Sequence, residues 1–154
     1  MQTFLPYSSF RKTMKVLDYR RLGKQRVEAK QILNILMNRT EKMGWRNHPI
    51  VKMWEGYEGA LQLYFNDCVE EWIRRGYRNN MELEDITQPL IYPDWLGDKL
   101  FHSSRRANLL RKDEEFYSQW NWLEDSTDPY SWYDVMENKW YLQHVGTGIR
   151  EYIG

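Results

Sequence analysis

The sequence predicts an all-α fold: a compact single-domain helical protein with one long central helix and a loop-rich aromatic C-terminal segment. Three observations carry that reading. Apolar residues recur three and four apart through much of the first half of the chain. No convincing pair of alternating strands is visible. The 154 residues include 8 Trp, 11 Tyr and 5 Phe, enough for a packed core without a metal or a disulfide.

The elements follow in order. A short helix is expected over residues 8–16, with Ser8 or Ser9 as its cap. A second spans residues 22–38, where Leu22, Ala29, Ile32, Leu33, Leu36 and Met37 keep a helical spacing. Lys24, Arg26, Glu28 and Lys30 lie away from the centre of that stripe. The long helix covers residues 49–75. Ile50, Val51, Trp54, Tyr57, Leu61, Tyr64, Phe65, Cys68 and Trp72 make one apolar stripe, and Glu55, Asp67, Glu70 and Glu71 occupy the other face. Pro49 suits the first turn, Asn47 or His48 the cap, and Gly76 the end after Arg74 and Arg75. Residues 76–100 are punctuated by Pro89, Pro93 and Gly97 and read as irregular. Ser103 or Ser104 opens a further helix to Lys112, and residues 113–122 are helical too. The aromatic tail, with Tyr130, Trp132, Tyr133, Trp140, Tyr141 and Tyr152, reads as loops docked on helices. The expected division is a helical domain over residues 1–132 and a packed tail over 133–154.

Composition narrows function. No apolar run approaches the ~18 residues of a membrane span. The start, Met1-Gln2-Thr3-Phe4-Leu5-Pro6-Tyr7, has no basic stretch of the kind that opens a signal peptide, so a cytoplasmic location is expected. A lone cysteine, Cys68, permits neither an internal disulfide nor a multi-cysteine zinc site, and it falls in an apolar stripe. His48, His102 and His144 form no metal-ligand motif. The formal net charge is zero, but it is unevenly spread. Residues 1–48 hold 11 basic and 3 acidic side chains, residues 49–98 hold 4 and 10, residues 99–112 hold 5 and none, and residues 113–154 hold 2 and 9. Basic blocks of this kind suit a polyanion, since each neutralised phosphate releases counterions. They equally suit pairing with the acidic blocks.

Four constellations stand out. Asp18-Tyr19-Arg20-Arg21-Leu22-Gly23-Lys24-Gln25-Arg26-Val27-Glu28 surrounds two carboxylates with four cations where a helix begins. It reads as a solvated helix end with a Lys24–Glu28 pair, or as a phosphate grip around an acid–base carboxylate. Asn47-His48-Pro49 heads the long helix. Residues 101–112 carry His102, Ser103, Arg105, Arg106, Asn108, Arg111 and Lys112, a set suited to phosphate contacts or to pairing with the acidic tail. Trp95, Tyr130 and Trp132 are candidates for stacking on an exposed base, or for core packing.

Taken together these segments resemble the pyrimidine-dimer DNA glycosylases, also called endonuclease V of the ultraviolet-repair type, and most of all their bacterial and phage branch. The resemblance rests on Met1 to Tyr7, Leu17-Asp18, Arg21-Leu22-Gly23-Lys24-Gln25-Arg26-Val27-Glu28-Ala29, Gly44-Trp45, Asn47-His48-Pro49, Met53-Trp54 and Glu58. It continues through Arg74-Arg75-Gly76-Tyr77, Trp95-Leu96-Gly97-Asp98, Phe101-His102-Ser103, Asn108-Leu109-Leu110-Arg111-Lys112, Pro129-Tyr130 and Trp132.

The resemblance implies a monomeric enzyme on double-stranded DNA that exposes the lesion and attacks C1′ with an amine at the chain start, using no metal or organic cofactor. A Schiff base forms, and a glutamate assists glycosidic cleavage and strand scission. An α-amine titrates near ~8, so part of it is nucleophilic at neutral pH. The chain departs from the studied members at two places. Gln2 follows Met1, which favours retention of Met1. Arg21 stands at the family's glutamate position when Leu22 and Arg26 are aligned. The catalytic candidates are therefore Met1 and Lys24 as nucleophile, with water as the third possibility, and Glu28 as the carboxylate. Arg20, Arg21, Arg26, His48, His102, Ser103, Arg105, Arg106, Asn108, Arg111 and Lys112 are the DNA-binding candidates. The alternatives are a glycosylase for another modified base, a non-catalytic DNA-binding protein on the same scaffold, and a protein-interaction module.

Overall fold

The computed structural model describes residues 1–153. They divide into two compact units, one of residues 1–4 and 9–93, the other of residues 5–8 and from 94 onward.

The first unit is helical. Helix α1 (Phe10–Val16) starts where Ser9 Oγ accepts the Lys12 amide at 3.1 Å. Helix α2 (Tyr19–Leu36) begins at Asp18, whose carboxylate pairs with Arg21 at 3.4 Å. It starts three residues before the expected position and carries Gly23 in its interior. A Cβ at Gly23 would lie 3.0 Å from the Trp72 ring, so the glycine lets that indole close on the helix.

The long helix expected over residues 49–75 is two helices, α3 (Pro49–Trp54) and α4 (Glu58–Arg74). Gly56 separates them at φ +89°, a left-handed conformation that glycine adopts without the clash a side chain causes. Glu58 Oε1 accepts the Gly56 amide at 3.2 Å and secures the break. The apolar stripe runs on across it because the turn keeps Trp54, Leu61 and Tyr64 facing the same core. Helices α1 and α2 pack on α4 around Phe10, Leu22, Ile32, Leu33, Trp54, Leu61, Tyr64 and Phe65, all buried. Cys68 lies in that core; its Sγ donates to the Leu22 carbonyl at 3.3 Å, and burial pushes the thiol up.

Residues 79–93 are irregular, as expected, but pinned. Asn66 exchanges two hydrogen bonds with the backbone of Glu84, at 2.7 and 2.9 Å. The Glu84 carboxylate receives Lys30, Arg39 and Gln62. At Gly59 a Cβ would stand 2.3 Å from the Pro89 carbonyl oxygen, so the segment crosses α4 where no side chain fits.

The second unit overturns the all-α expectation. Helix α5 (Lys99–Lys112) is capped by Asp98, five residues before Ser103, the first of the two serines expected to open it, and the Asp98 carboxylate accepts the Phe101 amide at 2.8 Å. Helix α6 (Glu114–Tyr117), capped by Asp113, continues as a 3-10 turn over Ser118–Trp120 and ends at Asn121 in the left-handed region. The aromatic tail is then a three-stranded antiparallel sheet: β1 (Tyr130–Asp134), β2 (Lys139–Gln143) and β3 (Arg150–Ile153), in the order β1-β2-β3. Trp132 faces Tyr141, and Tyr141 faces Tyr152. Asn138 at φ +53°, and Gly146 and Gly148 at φ +85° and +69°, provide the turns. The fold is therefore mixed α and β. Alternation is hard to see in β1 because Tyr130, Ser131 and Trp132 are all buried: α5 packs on this strand, so neighbouring side chains on both faces are covered. Residues 132 and 133, the expected border between domain and tail, are neighbours within this strand. Among the described residues no helix is long and apolar enough to cross a membrane.

Candidate active site

The chain start lies along α2 and α4 of the first unit. Gln25 and Glu28, three apart on α2, face the same side of that helix and both reach residues 2–4. The Phe4 amide donates to Gln25 Oε1 at 3.0 Å, Gln25 Nε2 donates to the Gln2 carbonyl at 3.0 Å, and the Gln2 amide donates to Glu28 Oε2 at 3.2 Å. From below, Trp54 Nε1 donates to Thr3 Oγ1 at 3.1 Å, and the Tyr64 hydroxyl, 2.8 Å from the Phe4 carbonyl, shares its one proton between that oxygen and Gln25 Oε1.

This places the Met1 amine at the site. Covalent geometry keeps successive backbone nitrogens within about 3.7 Å, so with Gln2 bonded to Glu28 the amine lies within about 7 Å of that carboxylate. Burial lowers the pKa of His48, and the positive charge of the chain start lowers it further. His48 is held as the cap of α3, its Nδ1 accepting the Ile50 amide at 3.1 Å, with the Trp45 ring edge-on at 5.6 Å. The Lys24 ammonium stands 3.7 Å from Glu28 Oε1, with 70% of its side chain exposed. The structure thus brings together Met1, Lys24, Glu28 and His48. Arg21, half-buried, is paired with Asp18, and Arg20 is exposed on the first turn of α2.

Arg26 takes another position. Two residues before Glu28, it stands about 160° around the helix from it. Its guanidinium lies 4.1 Å over the Trp72 ring and donates to Asn79 Oδ1 at 3.0 Å, and burial lowers its pKa.

The remaining candidates lie in the second unit, and most are engaged there. Arg105 is fully buried. Its guanidinium sits 3.8 Å over Phe101, 3.9 Å over Tyr130 and 5.3 Å from Trp132, and it donates to the Ser131 carbonyl. Burial brings its pKa down to about 10. With no surface, it has none to offer a phosphate, and Tyr130 and Trp132 turn to this cation. Trp95 is buried against Phe101 at 5.0 Å. His102 is buried too; its Nε2 accepts the Gly97 amide at 2.8 Å, so Nδ1 carries the proton and donates to the Leu5 carbonyl at 2.7 Å. Burial, and then Arg105 and Arg106, lower its pKa below the usual histidine value. Arg106 makes a two-pronged bond to Glu124 at 3.0 Å on each arm, and Ser103 adds a third donor to that carboxylate. Arg111 donates to the Ser126 carbonyl and to Asn108. Lys112 is exposed at the end of α5.

Four residues that fix the site were not among the catalytic or binding candidates: Thr3, Gln25, Trp54 and Tyr64. Gln25 had a signal. It shares a helical stripe with Leu22, Ala29 and Ile32, and a glutamine in an apolar stripe needs partners.

The arrangement can supply an amine nucleophile, a carboxylate to move protons and a cation beside it, all on one side of α2. The family model described as pyrimidine dimer DNA glycosylase matches residues 1–85, which include every one of these groups. No curated protein and no solved structure matches the chain. With more than half of its length covered by that model and the amine, lysine and carboxylate gathered within it, this chain belongs to the pyrimidine dimer DNA glycosylase family.

Proposed function

We propose that this protein excises pyrimidine dimers from double-stranded DNA as a monomer, and that it cleaves the strand afterwards through an imine on its own first residue. The single observation that carries this reading is the Gln2 amide on the Glu28 carboxylate, which seats the chain start beside an acid–base group. Every group the chemistry uses comes from one chain and from its first unit.

The neutral Met1 amine attacks C1′ of the damaged nucleotide. The bond from C1′ to the base breaks, and its electron pair leaves with the base, which takes up a proton. The attached nitrogen loses a proton, the sugar C1′–O4′ bond opens with O4′ protonated, and a protonated imine joins the nitrogen to C1′. Glu28 is the group placed to carry these protons. The imine acidifies C2′; a carboxylate takes that proton and the 3′ phosphate departs with its bonding pair. Water then releases the chain start. The Gln2 amide on Glu28 ties the chain start to the carboxylate, whereas the Lys24 side chain is 70% exposed, which favours Met1 over Lys24 as nucleophile.

A duplex carrying one cyclobutane dimer tests the reading. The expected result is cleavage of one glycosidic bond of the dimer, the freed base staying tethered to its neighbour through the cyclobutane ring, with strand scission, and a covalent protein–DNA adduct when borohydride is present. Glycosidic cleavage without an adduct assigns the step to water; binding with neither product leaves a DNA-binding protein on this scaffold.

A further inference from the structure

Gln25 is completely buried, yet all four hydrogen-bonding positions of its amide are used. Oε1 accepts the Phe4 amide at 3.0 Å and a share of the Tyr64 hydroxyl proton, whose other acceptor is the Phe4 carbonyl. Nε2 donates to the Gln2 carbonyl at 3.0 Å and to Glu28 Oε2 at 3.3 Å. Two donors below and two acceptors above fix which way the amide points. The consequence reaches Glu28. Its Oε2 takes two donors, the Gln2 amide and Gln25, while its Oε1 faces Lys24 at 3.7 Å. The two oxygens are therefore different in kind, one an anchor and the other open.

We propose that Gln25, braced by Tyr64, is a positioning residue that locks the chain start and the Glu28 carboxylate into one rigid piece, so that Oε1 alone moves protons in the reaction. The inference rests on the glycosylase reading above. It identifies what sets the distance between nucleophile and carboxylate, a distance on which the rate depends steeply: a misplacement of about 1 Å costs about 100-fold. Residues 1–4 form no regular element, and the Gln25 and Tyr64 bonds hold both ends of that segment to helices.

Gln25→Glu is the informative substitution. It keeps the shape and the acceptor for Phe4 and Tyr64, but sets an oxygen against Gln2 O and Glu28 Oε2 where two N–H groups stood. Single-turnover and steady-state rates are measured on a duplex with one cyclobutane dimer, beside duplex affinity and a thermal melt. The expected result is a kcat about 100-fold lower with KM and duplex Kd within threefold of wild type. A role confined to stability would leave kcat per folded molecule unchanged, so a rate within threefold of wild type overturns the proposal. If Gln25→Glu is unfolded at the assay temperature, Tyr64→Phe decides, since it keeps the ring and removes only the hydroxyl. There a kcat about tenfold lower at constant KM supports the proposal, and an unchanged kcat overturns it. Wild-type protein inactive on this duplex and every other lesion tried overturns the glycosylase reading itself; an active wild type with an unimpaired variant overturns only the part assigned to Gln25.

Discussion

Glu28→Gln separates chemistry from architecture at the centre of the site. In the native protein two N–H donors converge on Oε2, from Gln2 at 3.2 Å and Gln25 at 3.3 Å. A glutamine there turns its amide oxygen to those donors, which puts its NH2 where Oε1 faces Lys24. The hold on the chain start survives while the negative charge and the proton acceptor are lost. Loss of a positioned acid–base group lowers a rate by 10²- to 10⁴-fold. A loss of about 1000-fold corresponds to about 4 kcal/mol of barrier. The cost in stability is small: Lys24 is 70% exposed, and a pair of that kind contributes roughly 0–1 kcal/mol. Affinity for DNA changes little and in the other direction. Removing one negative charge about 8 Å from a phosphate in water relieves about 0.5 kcal/mol, or roughly a twofold tightening. Single-turnover cleavage of a dimer-containing duplex and a filter-binding titration measure the two quantities on one preparation. Cleavage within threefold of wild type refutes the assignment. So does a parallel collapse of binding and cleavage, because it would mean that the charge shapes the fold.

Three further outcomes are expected. Burial alone would raise the pKa of Glu84, but hydrogen bonds from Arg39, Lys30 and Gln62 hold it down at about 2. A carboxylate held below its ordinary 4.5 contributes stability that is complete above about pH 4.5 and is lost as the pH falls towards 2. Melts of wild type and Glu84→Gln between pH 5 and 2 should therefore converge, with wild type losing about 3 kcal/mol more than the variant; parallel curves contradict the assignment. Gly59→Ala drives a methyl group to 2.3 Å from the Pro89 carbonyl and should cost about 1–3 kcal/mol, read as a fall in Tm, whereas an unchanged Tm means that residues 88–93 do not cross α4 there. Arg105→Ala removes the cation between Phe101 and Tyr130 and leaves the Ser131 carbonyl without that donor; a loss of at least about 3 kcal/mol is expected in denaturant unfolding followed by circular dichroism, and a loss under 1 kcal/mol argues against the buried cation.

Helical spacing made α1, α2 and most of α4 legible, because each buries a stripe repeating every three to four residues. The break at Gly56 was hidden for the same reason: the stripe passes through it in phase. The sheet was hidden because β1 is covered on both faces and β3 is four residues long with every side chain exposed, so neither alternates. In the candidate site, the Lys24–Glu28 pair was readable from its i, i+4 spacing, while the other cations of that segment go elsewhere, Arg21 to Asp18 and Arg26 to Trp72 and Asn79. The approach of Glu28 to the chain start was not readable, because that depends on Gln25, Trp54 and Tyr64 gripping a segment with no periodicity. The basic run of α5 misled in an instructive way. Phe101, Arg105 and Leu109 are four apart, which puts Arg105 on the apolar stripe of its own helix. Composition suggested a phosphate contact, but the spacing already pointed to a cation among aromatic rings.

The central claim is that the first residue's amine does the covalent work with Glu28 at its side. The most direct test is to reduce the intermediate with borohydride on a dimer-containing duplex, digest the trapped protein and locate the sugar remnant by mass spectrometry. A remnant on the Met1 α-nitrogen, absent in Glu28→Gln, is the predicted result. A remnant on Lys24 or another lysine, or glycosidic cleavage with no remnant at all, contradicts it.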